Sequence, residues 1–149
     1  MGDLETAIIQ SQKAHEVFLA VHHGQEDVAD SYGQLGLVYK KKGDLDNALL
    51  QFLKELEVRV AVFCGYEHSD IGFTCKEIGD VYDLQGNKAA AIEMYAQAYT
   101  ICVKLKGPDD NLTMVVVGKL HRRGVPTYWV WLRRRLAMRG ASKLPSEVT

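Results

Sequence analysis

Several groups of residues have the types and spacing to do chemistry. The run GLVYKKKGD, residues 36–44, sets Lys40, Lys41 and Lys42 between two glycines, a composition suited to cradling a phosphate or another anion. His22 and His23 stand close to Glu26 and Asp27, so metal-ligand types crowd one short stretch. Asp80 and Asp83, at i and i+3, share one helical face as paired carboxylates would. Trp129 and Trp131 precede Arg133, Arg134, Arg135 and Arg139, and indoles with cations suit a membrane surface or a nucleic acid. The opening MGDLET fits the loose N-myristoylation pattern through Gly2 and Thr6.

Each group has a plainer reading. A lysine run is more often the solvated end of a helix, where cations meet the carbonyl pole. Adjacent histidines on a helix point about 100° apart, and neither HExxH nor His-x3-His spacing occurs. The two aspartates lack a histidine nearby and read as surface charge. Asp3 and Glu5 would oppose an anionic leaflet. On a helical wheel the four tail arginines scatter around the cylinder and form no single polar face. There is no nucleophile elbow, Walker loop or dinucleotide fingerprint, and the acids read as lying in turns or on exposed faces. The expectation is a non-enzyme that needs no cofactor and no metal.

Composition agrees with a soluble single domain of 149 residues, 47% hydrophobic and 25% charged. The cysteines, Cys64, Cys75 and Cys102, are odd in number and form no CxxC pair. A reducing, cytoplasmic setting is therefore expected. No apolar run approaches the roughly 18 residues that a membrane span needs, and MGDLET lacks the basic start of a secretion signal. The formal net charge of -1 hides an asymmetry. Residues 1–118 hold 10 Lys/Arg against 18 Asp/Glu, whereas residues 119–149 hold 8 Lys/Arg against Glu147. An acidic body repels phosphate backbones, so nucleic-acid binding would rest on the basic tail and is not expected.

The elements that must position these residues come from a repeat. GLVYKKKGDLDNALLQF at 36–52 and GDVYDLQGNKAAAIEMY at 79–95 share a skeleton 43 residues apart. Tyr32, Leu35, Gly36 and Tyr39 fall on one helical face, and Cys75, Ile78, Gly79 and Tyr82 do the same. Each helix stops at a glycine, Gly43 or Gly86, and a second helix starts after a polar turn, with Ala48 and Phe52, or Ala91 and Tyr95, facing inward. Small residues at Gly36, Gly79, Ala48 and Ala91 let two helix backbones approach while the aromatics fill the space beside them. DLETAIIQSQKAHEVFLAV, from Asp3, matches DLDNALLQFLKELEVRVAV, from Asp44, at a constant offset of 41, so the chain opens in mid-repeat.

This pattern resembles the tetratricopeptide repeat over residues 2 to about 113. The long connectors GYEHSDIG and KGPDDNLT, with the period near 42, resemble the extended repeats of kinesin light chains and nephrocystin-like proteins. Glu55 stands where that family usually has alanine and Cys75 where it has a large residue, which predicts looser packing there. The resemblance implies an all-α fold of antiparallel helix hairpins stacked as a short right-handed α-solenoid. It also implies a concave groove, lined by the first helix of each hairpin, that binds a peptide or partner helix without catalysis.

Five helices are expected, at about 3–22, 27–42, 45–64, 70–85 and 88–105. The repeat domain is set at 1–113 and a divergent basic tail at 114–149. In that tail MVVVGKL is β-branched where a helix should run, and His121 and Gly124 stand where a small residue and an aromatic are wanted. At most one short helix near 127–138 is expected, with Trp129 and Trp131 docked on the last hairpin. Two and a half repeats with an uncovered leading helix predict self-association, completion by another chain, or low stability. Rotating each first helix one step from its packed face selects Asp30, Gly33, Leu37, Lys40 and Lys41, then Phe73, Lys76, Asp80, Asp83 and Leu84, as the groove. Its apolar anchors would be Phe73, Leu37 and Leu84, and Lys40, Lys41 and Lys76 would accept an acidic ligand. An adaptor or scaffold role follows, with binding through the basic aromatic tail as the other route.

Overall fold

The computed structural model describes residues 2–20 and 24–126. Six helices follow one another: α1 (Gly2–Ala20), α2 (Gln25–Lys42), α3 (Leu45–Val62), α4 (Ser69–Leu84), α5 (Lys88–Lys106) and α6 (Asn111–Arg122). The described residues contain no strand. Each helix packs on the next, so α2 with α3 and α4 with α5 form antiparallel hairpins, stacked as a short α-solenoid. The five expected helices are present with ends within two residues of the expected bounds.

The hairpin turns repeat atom for atom. Gly43 (φ 84°) and Gly86 (φ 79°) take the left-handed conformation that glycine adopts without a Cβ penalty. Behind them, the N–H groups of Asp44 and Asn87 donate to the carbonyls of Tyr39 and Tyr82 at 3.0 and 2.9 Å. Asp44 then caps α3 by accepting from the Asn47 N–H, and Asn87 caps α5 by accepting from the Ala90 N–H.

Within each hairpin one glycine meets one ring. A Cβ on Gly36 would stand 2.7 Å from Cε1 of Phe52, and a Cβ on Gly79 would stand 2.7 Å from Cε1 of Tyr95. Both rings are fully buried. Ala48, Phe52, Ile78 and Val81 gather around the first crossing, and Ile71, Cys75, Ala91, Tyr95 and Ala98 around the second. Leu56, Tyr82 and Met94 border both groups and join them into one core. Gly79→Leu should therefore overpack its crossing and cost about 1–3 kcal/mol. An unchanged melting temperature for that variant would refute this packing scheme.

The sequence expectation after Thr113 needs correction. The β-branched stretch is helical in α6, and the boundary placed at 113 falls inside that helix. The Asp110 carboxylate caps α6 by accepting from the N–H groups of Leu112 (3.0 Å) and Thr113 (3.4 Å). Thr113, Val116 and Leu120 then bury a stripe of the helix. They lie 42 residues after Ile71, Thr74 and Ile78, so the repeat continues with one residue removed. Propensity penalties of at most about 0.7 kcal/mol per β-branched residue lose to burial worth about 1.5–3 kcal/mol for each large apolar side chain. His121 and Gly124 misled because α6 is anchored by Thr113, Val116 and Leu120 and ends before Gly124. His22, His23, Trp129, Trp131, the tail arginines and the 127–138 helix lie outside the described residues.

Candidate functional site

The first helices α2, α4 and α6 are joined side by side by ion pairs. Lys40 of α2 reaches Glu77 of α4. On α4, Lys76 Nζ lies 2.6 Å from Glu77 Oε1 and 3.0 Å from Asp80 Oδ2. Asp80 also holds Lys119 of α6 and accepts a hydrogen bond from the Tyr95 hydroxyl at 2.5 Å. Asp83 takes Arg123, just past α6, through Nε at 2.7 Å and through a second guanidinium nitrogen. The result is an unbroken series of alternating charges from Lys40 to Lys119, with Asp83 and Arg123 beside it.

A second ionic group sits nearer the other end of the same face. Arg59 of α3 donates from Nε to Glu55 at 2.9 Å and from Nη2 to Asp30 at 2.6 Å, and its Nη1 lies 3.3 Å from Asp70. Glu55 is only 4% exposed. Its carboxylate fills the space over Gly33, where a Cβ would stand 2.9 Å from Cδ. The looseness expected at Glu55 is thus absent: a carboxylate and its guanidinium occupy the room an alanine would leave. Burial pushes the Glu55 carboxyl up, and the hydrogen bond and charge of Arg59 pull it only part of the way back. For Asp80, burial also works upward, but hydrogen bonds from Lys119, Tyr95 and Lys76 outweigh it and hold this carboxyl below its ordinary value.

The ten groove residues inferred from the sequence are distributed unevenly on this face. Asp30, Lys40, Lys76, Asp80 and Asp83 are brought into the ionic groups. Gly33 is buried beneath Glu55, and Leu37 packs against the Phe52 cluster. Lys41 and Leu84 are exposed near the ends of their helices. Phe73 is 44% exposed, with the Lys76 ammonium 5.4 Å from its ring centroid. Beside it, between the first turns of α4 and α6, lies an open depression of about 490 Å³ that Lys76, Leu112 and Val115 also line.

Three sequence readings are corrected here. Lys40 and Lys76, expected to be available to an acidic ligand, are already held by acids of α4. Asp80 is a paired, largely buried carboxylate and not free surface charge. Glu55 and Glu77 are buried acids, against the reading that all acids lie in turns or on exposed faces. Sequence reasoning also missed Arg59, Lys119, Arg123 and the Tyr95 hydroxyl. The signal for the α6 cations was their separation from Asp80 and Asp83, 39 and 40 residues, close to one repeat.

Among the described residues, one pair has the geometry of a nucleophile and its base. His15 Nδ1 and Ser31 Oγ lie 2.5 Å apart, the contact of a nucleophile with its base. Yet the Ser31 hydroxyl donates to the Val28 carbonyl at 2.8 Å, so it accepts from His15 and is not activated. The pair pins α1 to α2, helped by the Tyr32 ring 4.2 Å from the imidazole.

A glycine–ring contact recurring at 43 residues, with its turn and cap, is the signature of one repeated helix hairpin. The family model of the tetratricopeptide repeat matches residues 27–104, more than half of the chain. The chain belongs to the tetratricopeptide repeat family. No curated protein matches it. The match spans α2 to α5, the two full hairpins, and tetratricopeptide repeats generally mediate protein–protein interaction and are typically non-catalytic. In this tetratricopeptide chain α6 takes the place of the next first helix, and with it Lys119 and Arg123 join the shared face. No helix among the described residues is long and apolar enough to cross a membrane.

Proposed function

We propose that this chain is a non-catalytic interaction module of adaptor or scaffold type that binds a short peptide or partner helix in a concave groove lined by α2, α4 and α6. The observation that carries the reading is Phe73. It is a large apolar side chain left open in the middle first helix, beside a depression of peptide side-chain scale, on a face braced by ion pairs. A braced face orders few groups on binding, which lowers the entropy cost of capture. Asp30, Leu37, Lys40, Lys41, Lys76, Asp80, Asp83 and Leu84 make up the rest of the groove, whereas Gly33, also expected there, is covered by Glu55 and offers no surface to a ligand. The long connectors support a kinship with the extended repeats of kinesin light chains, and the free thiols of Cys64, Cys75 and Cys102 suit the cytoplasm.

Phe73→Ala removes an exposed anchor without touching the core. It is expected to weaken partner capture from a native lysate at least about fivefold, while far-UV circular dichroism stays at the parent level. Equal capture by variant and parent would eliminate the groove. An assembly role is favoured by a different observation: α1 leaves Leu4 and Ile9 exposed, and α3 leaves Leu50 and Leu53 exposed. Solution mass decides that reading, and a monomer at high concentration would end it.

A further inference from the structure

The charges of this face have consequences for what it can hold. Along α4 the cation Lys76 is held by Glu77 and Asp80, and Glu77 also holds Lys40. An acidic ligand would have to displace those internal acids to reach either lysine. A basic ligand meets the mirror problem, because Asp80 and Asp83 already hold Lys119 and Arg123. At the mouth of the depression Asp70 is turned to Arg59, and Asp110 accepts from two N–H groups of α6. Among the described residues, Lys106 is the one ionic group lining the depression that has no partner, and it lies at the exposed rim.

The apolar groups of the same place are open. Phe73 is 44% exposed and Val115 is 42% exposed. They occupy matching positions in α4 and α6, 42 residues apart, the same spacing that relates Ile71 to Thr113 and Ile78 to Leu120. Leu112, half-buried, lines the same depression. In α2 the matching residue is Asp30, bound to Arg59, so the apolar strip begins at α4. The Lys76 ammonium over the Phe73 ring, fixed by its two acids, steadies that side chain.

Taking the groove of the preceding section as given, we infer that its occupant is an uncharged segment that presents two apolar side chains to Phe73 and Val115 and pairs with none of the groove's ions. The physical reason is a matter of exchange. A ligand charge brought into the depression loses water and finds Asp70, Lys76 and Asp110 already satisfied, while Lys106 at the exposed rim is screened by water; an apolar side chain loses only unfavourable contact with water. Binding therefore depends little on salt, since no ion pair forms or breaks across the interface.

The test is to pan a randomised twelve-residue peptide display library against the full chain, then retest enriched peptides on Phe73→Ala and Val115→Ser chains. The expected peptides carry two aliphatic or aromatic residues and near-zero net charge. They lose at least about tenfold in affinity on either variant and change less than about twofold between roughly 0.05 and 0.5 M salt. Enriched peptides that are strongly acidic or basic and salt-sensitive, yet still need Phe73, would overturn this inference and leave the groove standing. If no enriched peptide depends on Phe73 or Val115, both the inference and the groove fall. Both residues are exposed, and unchanged circular dichroism of each variant separates lost binding from lost fold.

Discussion

Arg59→Met should destabilise the fold by about 3–5 kcal/mol at neutral pH, the usual cost of leaving one member of a buried ion pair without its partner. Glu55, 4% exposed and pressed over Gly33, would keep its charge between α2 and α3 without its guanidinium partner. Asp30 and Asp70 are more than half exposed, so water replaces Arg59 for them at little cost. The loss should depend on pH with a defined sign. Burial already raises the Glu55 carboxyl above its ordinary 4.5, and removing the guanidinium raises it further in the folded state only. A carboxyl raised on folding penalises the fold fully above its folded value and not at all below its unfolded one. Urea unfolding of variant and parent should therefore differ most near pH 7 and progressively less as the pH is lowered towards 4.5. A difference that stayed the same across that range would show that the cost is lost packing and not a stranded charge.

Tyr95→Ala should cost a similar amount, about 3–5 kcal/mol, for a different reason. The ring is fully buried against Gly79, and two cations stand over it, Lys119 Nζ at 5.6 Å and the Arg123 guanidinium at 4.8 Å. Truncation opens a cavity at the helix crossing and removes the surface on which those two cations rest. Tyr95→Phe separates the parts, because it keeps the ring and deletes the hydrogen bond to Asp80, worth about 1 kcal/mol. Phe52 already fills the matching place in the first hairpin, where Leu37 stands in the position of Asp80. The hydroxyl is thus needed only where the neighbouring first helix carries an acid. If denaturant unfolding put Tyr95→Ala no lower than Tyr95→Phe, the ring would not be what fills the crossing.

The hairpins were legible because everything that makes them is local and recurs. A glycine able to take positive φ, a capping Asp or Asn, and a small residue opposite an aromatic are properties of neighbours in the chain. Period 43 displays them twice, so Gly36, Phe52, Gly79 and Tyr95 could be paired before any contact was known. α6 was hidden because its residues have weak helical propensity. What makes Val115, Val116 and Val117 helical is the Asp110 cap together with the surface that Thr113, Val116 and Leu120 find on the preceding hairpin.

The charged face divides along the same line. Helical periodicity placed Lys40, Lys76, Asp80 and Asp83 on one side of their helices, and all four form ion pairs that link α2, α4 and the end of α6. Periodicity says nothing of the offset between one helix and the next, and ion pairs have a reach of about 4 Å. Sliding or turning a helix by a fraction of a turn exchanges a carboxylate for water. Whether Lys76 meets a ligand or Glu77, whether Asp83 meets solvent or Arg123 forty residues on, and whether Glu55 is exposed or buried under an arginine were therefore decided by how the helices dock. A single helix carries its pattern in its own residues, whereas a charge acquires its partner, its burial and its acidity only from the helices packed around it.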